Sequence, residues 1–304
     1  MRKFTQTSES TVASRLAKLL GKTVRCTRIS TYLGRNEVFT INDGLILKIF
    51  HIDPRQRRKT EMASLAFLER IGIPGPQYVA HSDEEDDLLW LLQTRLKGDP
   101  LSLQAGNPAY HANIYREIGG ILARLQDASI TEPPDLLHQT LAERWAHTRR
   151  RLDGKSVGGL DVVRRAIEYL DGADLADRRP LVFVHNDFSA RNFLVDPGKD
   201  GAPLRFIGLI DFEKSFLGDP WADLAILLSK TMASNPVIFS AFCDGFGRDR
   251  ALALVTHPNM VNRSLIEMLY IVSWAASDDP DFCASALAYT NSLLQGTAMA
   301  ALQL

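Results

Sequence analysis

With 304 residues, 45% of them apolar, the chain is long enough for one large domain or two lobes that each bury a core, which excludes disorder as the main state. Thirty-five Lys and Arg against 36 Asp and Glu leave a formal net charge of -1, so the balance calls for neither nucleic acid nor an acidic membrane and points to a small or neutral partner. Three cysteines, Cys26, Cys243 and Cys283, odd in number and widely spaced, suit reduced thiols filling the core of a cytoplasmic protein better than a disulfide frame.

The N-terminus lacks the apolar stretch of a signal peptide, and no run approaches the roughly 20 residues of a membrane span. Between residues 10 and 20, Val12, Leu16, Leu19 and Leu20 share one helical face, with Ser8 or Ser10 as cap and Gly21 as stop. Residues 24–29 alternate, 38–41 follow, and Asn42-Asp43-Gly44 turns the chain into 45–50, which predicts a small antiparallel sheet. Asp53-Pro54 opens a helix whose apolar stripe, Met62, Leu65 and Leu68 with Ala63 and Ala66, ends near Gly72. After Pro74-Gly75-Pro76, strands at 78–80 and 88–92 flank a solvated acidic turn over 83–87.

Beyond Lys97-Gly98-Asp99-Pro100 the spacing becomes helical at 114–125, 141–152 and 162–170, while 181–184, 192–195 and 206–210 read as short buried strands. From Pro220 onward the chain reads as helices interrupted at Pro236, Pro258 and Pro280, with no repeat or heptad run. The change of texture near 93–99 divides the chain into lobes at 1–95 and 96–304.

Within this frame, Val184-His185-Asn186-Asp187-Phe188-Ser189-Ala190-Arg191-Asn192 and Leu209-Ile210-Asp211-Phe212-Glu213 carry the chemistry. An acid in a loop, an amide five residues on and a second acid at a strand end supply a group to take a hydroxyl proton and oxygen ligands for magnesium, the needs of phosphoryl transfer. Either Asp187 or Asn192 alone would be a turn former; together with Asp211 they point to a site.

At these positions the chain resembles the protein-kinase-like superfamily, and within it the aminoglycoside phosphotransferases and choline kinases. Their catalytic loop, His-x-Asp-x-x-x-x-Asn, is matched by His185, Asp187 and Asn192, and their metal-binding strand end, Asp-Phe/Trp-Glu, by Asp211-Phe212-Glu213. The resemblance implies an α+β, bilobal kinase-like fold, with a small antiparallel sheet and one main helix in the nucleotide-binding lobe and a larger, mostly helical catalytic lobe. It implies Asp187 as base, Asn192 and Asp211 as magnesium ligands, and His185 as a support of the loop; it assigns no role to Glu213. Lys48, a charge inside an apolar strand, would pair the phosphates and be held by Glu61 on the following helix. Gly34 and Asn36 would form the phosphate loop, and backbone groups of Thr94 and Leu96 would meet the adenine of ATP or GTP.

Gly218-Asp219-Pro220-Trp221-Ala222-Asp223-Leu224-Ala225 is similar to a segment of aminoglycoside phosphotransferases, with Asp219 as helix cap, Pro220 at the first helical position and Asp223 either bracing the catalytic loop or facing solvent. Arg191 joins His185, Asp219 and Asp223 as a supporting residue. The few residues between Asp-Phe-Glu and Asp219 leave no room for the activation segment of a protein kinase, and a pseudokinase scaffold has no chemical need of the full set. The reading is therefore direct, in-line O-phosphorylation of a small hydroxyl compound, such as an aminoglycoside. Choline, amino alcohols and sugars stay in play because Asn186 stands where antibiotic kinases carry glycine. Asp278, Asp279 and Asp281 either receive the ammonium groups of a cationic acceptor or form an acidic turn before a helix.

Overall fold

Ser8 opens the first element of the computed structural model, which describes residues 7–21, 23–29, 36–104, 111–176, 179–197, 203–232 and 235–300. Its Oγ accepts from Thr11 N at the start of α1 (Glu9–Leu20), and Gly21, at φ 64°, ends the helix. Val12 and Leu16 of α1 pack on Phe39, Ile41, Leu47, Ile49 and Leu92. These belong to an antiparallel sheet of β1 (Cys26–Ile29), β2 (Asn36–Ile41), β3 (Leu45–Phe50), β4 (Tyr78–His81) and β5 (Trp90–Thr94), in the order β1-β2-β3-β5-β4. The last four residues of β3 are buried, so both faces of the strand are covered and Lys48 has no solvent face to turn to.

The helix after β3, α2 (Pro54–Arg70), covers that strand's other face. Its buried stripe departs from the expected one. Leu65 and Leu68 are buried, but Met62 and Ala63 are only half-buried and Ala66 is exposed, because Arg58, Thr60, Glu61 and Ser64 turn inward with them. Arg58 donates to the Ser82 carbonyl and hydroxyl, and Ser82 exchanges hydrogen bonds with Trp90. This closure starts β5 at Trp90, two residues later than the spacing suggests, and leaves residues 83–87 exposed.

In the second lobe, β6 (Asp99–Pro100) leads to α3 (Ala112–Thr131), β7 (His138–Gln139), α4 (Leu141–Leu152) and α5 (Asp161–Asp171). Two small sheets then frame the centre of the molecule. The strands β8 (Val182–Val184), β9 (Phe193–Asp196), β10 (Arg205–Leu209) and β11 (Phe216–Gly218) pair as β10-β9-β6 and β7-β11-β8. The turns that leave β8 and β10 carry Asp187 and Asp211. The rest is helical: α6 (Ala222–Leu227), a π-helical turn Leu228–Met232, α7 (Pro236–Phe246), α8 (Arg248–Val255), α9 (Pro258–Asp278), α10 (Pro280–Leu294) and α11 (Thr297–Ala300). No helix among the described residues is long and apolar enough to cross a membrane. Cys243 and Cys283 are buried and Cys26 half-buried, all three as free thiols.

The helices α3 and α7 pack closely, and glycine sets the distance between them. A Cβ on Gly119 would lie 2.3 Å from the Phe242 carbonyl oxygen, and one on Gly245 would lie 1.8 Å from the Arg116 carbonyl oxygen. Backbone cannot yield as a side-chain tip does. Gly245→Ala is expected to lower stability by about 3 kcal/mol, read as a fall in the urea midpoint at unchanged slope; a midpoint equal to the wild type would contradict this packing.

Candidate active site

Burial in β3 delivers Lys48 to a carboxylate pair. Its Nζ lies 2.6 Å and 2.9 Å from the two Glu61 oxygens and 2.9 Å from Asp211 Oδ1, joining the strand, α2 and the turn after β10. Burial alone would push the ammonium's pKa down, but Asp211 and Glu61 outweigh it and hold the group charged, well above the usual lysine value. Glu213, which the sequence left without a role, receives Asn36 Nδ2 and the Arg57 guanidinium, and so ties β2 and α2 to the second lobe. Gly34 lies outside the described residues.

The loop after β8 is held from beneath by Asp223, whose Oδ2 accepts from His185 N at 2.8 Å and Oδ1 from Asn186 N at 2.9 Å. Asn186 and Asp211 take left-handed backbone conformations, φ 63° and 72°, which Asn and Asp tolerate better than most residues. The buried His185 ring packs on Phe212, centroids 4.7 Å apart, and meets the Ile210 carbonyl at 3.0 Å through Nε2. A carbonyl only accepts, so Nε2 carries the proton, and burial lowers the pKa and keeps the ring neutral. Asn192 gives its amide N–H to the Asp187 carbonyl at 2.8 Å, which leaves its side-chain oxygen as the group suited to a cation.

Asp187 itself is 5% exposed and ringed by cations. Arg191 reaches both of its oxygens at 2.8 Å, Lys230 lies at 3.3 Å and Lys214 at 3.7 Å. Burial raises the pKa of the carboxyl, but Lys230, Lys214 and Arg191 prevail and hold it well below the usual carboxylate range.

Asp223 responds the other way: burial outweighs the two backbone N–H donors and pushes its carboxyl up to about 7. A folded-state pKa above the ordinary 3.8 means stability that is present below that value and lost as pH rises through about 7. Wild-type stability relative to Asp223→Asn is therefore expected to decline between those two pH values, with turnover of the variant reduced because an amide cannot accept both N–H groups. Parallel denaturation curves with pH for the two proteins would contradict this origin.

Not every expected residue takes its expected place. Asp219 does not cap a helix: α6 starts at Ala222 without a side-chain cap, because the Asp219 carboxylate is drawn to Arg263 at 2.6 Å. Arg263 pairs also with Glu267, and Glu267 with Arg144, a buried network with no local sequence signal. In the hinge, Thr94 N donates to the Gln77 carbonyl and Arg95 N to that of Gly44. Asp279 caps α10 by accepting from Phe282 N, Asp278 accepts from Ser277, and Asp281 lies exposed in the first turn of α10. None of the three lines the cavities beside Asp187, which measure about 370 and 70 Å³ and share Arg191, Ser229, Lys230, Met268, Ile271 and Phe282. Lys214 and Lys230 were missed, because Ser229 and Thr231 flank Lys230 and deny it the apolar setting that marked Lys48.

The family model described as phosphotransferase enzyme family matches residues 32–254. No curated protein sequence matches significantly. Among solved structures, the chain is similar to the GDP complex of wild-type aminoglycoside 2'-phosphotransferase-IIIa, with TM-score 0.73 and 12% identity over 95% of this chain and 99% of that one. It is similar to a thermostable mutant of aminoglycoside phosphotransferase APH(4)-Ia in ternary complex with ADP and hygromycin B, with TM-score 0.65 and 14% identity over 93% and 98% of the two chains. It is also similar to the choline kinase LicA from Streptococcus pneumoniae, with TM-score 0.68 and 17% identity over 95% and 99%. At these identities the likeness carries the fold.

Proposed function

From the premise that the chain belongs to the phosphotransferase enzyme family, we propose that it moves the terminal phosphate of ATP or GTP directly onto a hydroxyl of a small molecule. One observation carries the reading: Lys48, Glu61 and Asp211 meet within 2.9 Å at the cleft, while Asp187 stands over a separate cavity. A donor half and an acceptor half thus share one border.

The hard oxygen donors at that border suit magnesium. Glu61, Asp211 and Glu213 each bring a carboxylate oxygen within 4.8 Å of the others, but Glu61 is spent on Lys48 and Glu213 on Asn36 and Arg57. Asp211 gives only Oδ1 to Lys48, which leaves its Oδ2 and the Asn192 side-chain oxygen, and we assign the metal to them. Bound there, magnesium would neutralise triphosphate charge.

In the step itself, Asp187 orients the acceptor hydroxyl and takes its proton as the hydroxyl oxygen bonds to the γ-phosphorus. The bond from that phosphorus to the bridging oxygen breaks, and the nucleoside diphosphate leaves. Lys48, with Arg191 and Lys214 beside the reacting centre, balances the charge on the phosphates, and Leu96 offers its backbone to the base. His185 and Asp223 position the loop. We take residues 1–95 as the nucleotide-binding lobe and 96–304 as the catalytic and acceptor-binding lobe.

An aminoglycoside acceptor was expected from the likeness of residues 218–225 to a segment of aminoglycoside phosphotransferases; Asp278, Asp279 and Asp281, which could have received its ammonium groups, line neither cavity beside Asp187. The test of the reading is incubation with ATP or GTP, magnesium and a broad set of hydroxyl compounds, with the mass increment of one phosphate as readout. Nucleotide that binds with magnesium but is never turned over on any hydroxyl compound would favour a pseudokinase scaffold.

A further inference from the structure

Four cationic side chains, Arg144, Arg191, Lys214 and Lys230, line the joined cavities against two carboxylates, Asp187 and Glu267. Neither carboxylate is open to an ammonium group. Glu267 receives the Arg144 guanidinium through two bonds of 2.9 Å and pairs with Arg263 at 2.9 Å, all three side chains being buried. Asp187 is held by Arg191, Lys230 and Lys214. An amine brought into this space would give up its water and meet cations without a free counter-charge.

The cations divide by position. Lys214 follows Glu213 and Arg191 precedes Asn192, so both stand at the border with the donor half and can meet the transferring phosphate. Lys230 comes from the π-helical turn, meets Asp187 at 3.3 Å and, like Arg191, lines both cavities with Met268, Ile271 and Phe282, so its ammonium stands between Asp187 and the acceptor space. Ala190, Met268, Ile271, Phe282, Ala286 and Tyr289 give the larger cavity most of its apolar lining. The volume, about 370 Å³, is at the low end for ligand sites and fits a compact molecule better than a multi-ring antibiotic.

We infer that the acceptor is a compact hydroxylated organic acid with an apolar body, whose carboxylate pairs with Lys230 while its hydroxyl faces Asp187. The inference rests on the phosphotransferase reading above. The carboxylate takes no part in the transfer: the oxygen–phosphorus bond forms at the hydroxyl, whose proton passes to Asp187, and the nucleoside diphosphate departs. Charge-assisted contacts to Lys230 fix which hydroxyl compounds are used.

The test gives the wild-type protein magnesium, ATP and a series of aliphatic and aromatic hydroxycarboxylates. Each is matched with its carboxamide and its amino-alcohol counterpart, with choline and aminoglycosides alongside, and transfer is read by mass. The expected result is transfer to hydroxycarboxylates with KM at least about tenfold below that of the matched carboxamides. Lys230→Met is expected to erase that difference with ATP affinity retained, and Lys230→Arg to preserve it. Preference for choline, amino alcohols or aminoglycosides overturns the inference and leaves the kinase standing. So does equal use of acid and amide, or ATP binding with no transfer to any hydroxycarboxylate. If magnesium–ATP does not bind at all, the phosphotransferase reading fails first.

Discussion

Asp187→Asn is expected to lower turnover by about 10³-fold or more while nucleotide affinity stays within a few-fold of the wild type. The amide keeps the shape but cannot take a proton, and the donor half, built on Lys48, Glu61 and Asp211, does not include this side chain. Against burial, Lys230, Lys214 and Arg191 hold the carboxyl well below its usual range, so Asp187 is ionised at neutral pH. The pH–rate profile should therefore show no acidic limb from this residue near neutrality. Stability carries the opposite sign from Asp223: a depressed folded-state pKa contributes stability that is present above the ordinary value of 3.8 and lost as pH falls through the folded value. At neutral pH the variant forfeits that contribution and leaves three cations facing an amide, so its thermal midpoint should fall as well. Single-turnover kinetics beside equilibrium nucleotide binding checks the division of labour; turnover near wild type would remove Asp187 from the role of base.

Lys48→Met should fail on both counts, losing nucleotide affinity and stability together. The substitution strands Glu61, which is fully buried, and removes the cation that Asp211 faces. Breaking a buried pair from one side costs about 3–5 kcal/mol, because the remaining charge has neither water nor a partner. Adding Glu61→Gln to Lys48→Met removes that stranded charge and should recover part of the stability but none of the nucleotide affinity. Urea unfolding and nucleotide titration of the single and double variants separate the two losses. A double variant no more stable than Lys48→Met would contradict a Glu61–Lys48 pair of this kind.

The legible parts of this molecule are those whose signals are local. The helix over residues 141–152 was readable from its apolar spacing, and the structure closes its start with a capping box in which Glu143 N donates to Thr140 Oγ1 and Thr140 N to Glu143 Oε2. The hairpin of β2 and β3 was readable from Asn42-Asp43-Gly44, whose Asn42 and Asp43 adopt positive φ. His185, Asp187 and Asn192 were readable because a loop of fixed length must bring them together. What stayed hidden depends on partners distant in sequence. Asp219 looked like a cap because Pro220 follows it, and only Arg263, 44 positions away, explains where its carboxylate goes. The acidic residues 278, 279 and 281 read as ligands or as an acidic turn before a helix, and Asp279 accepts from Phe282 N at the start of α10. Lys230 gained meaning only when the π-helical turn set it against Asp187, 43 positions earlier.

The most direct test of the central claim, that Asp211 and Lys48 form a magnesium–nucleotide half beside an acceptor half at Asp187, is ATP affinity measured against magnesium concentration in the wild type, Asp187→Asn and Asp211→Ala. The account expects affinity to rise with magnesium in the first two proteins, and expects that rise to vanish in Asp211→Ala while the protein stays folded. A magnesium dependence that survives in Asp211→Ala, or is absent from the wild type, would contradict it.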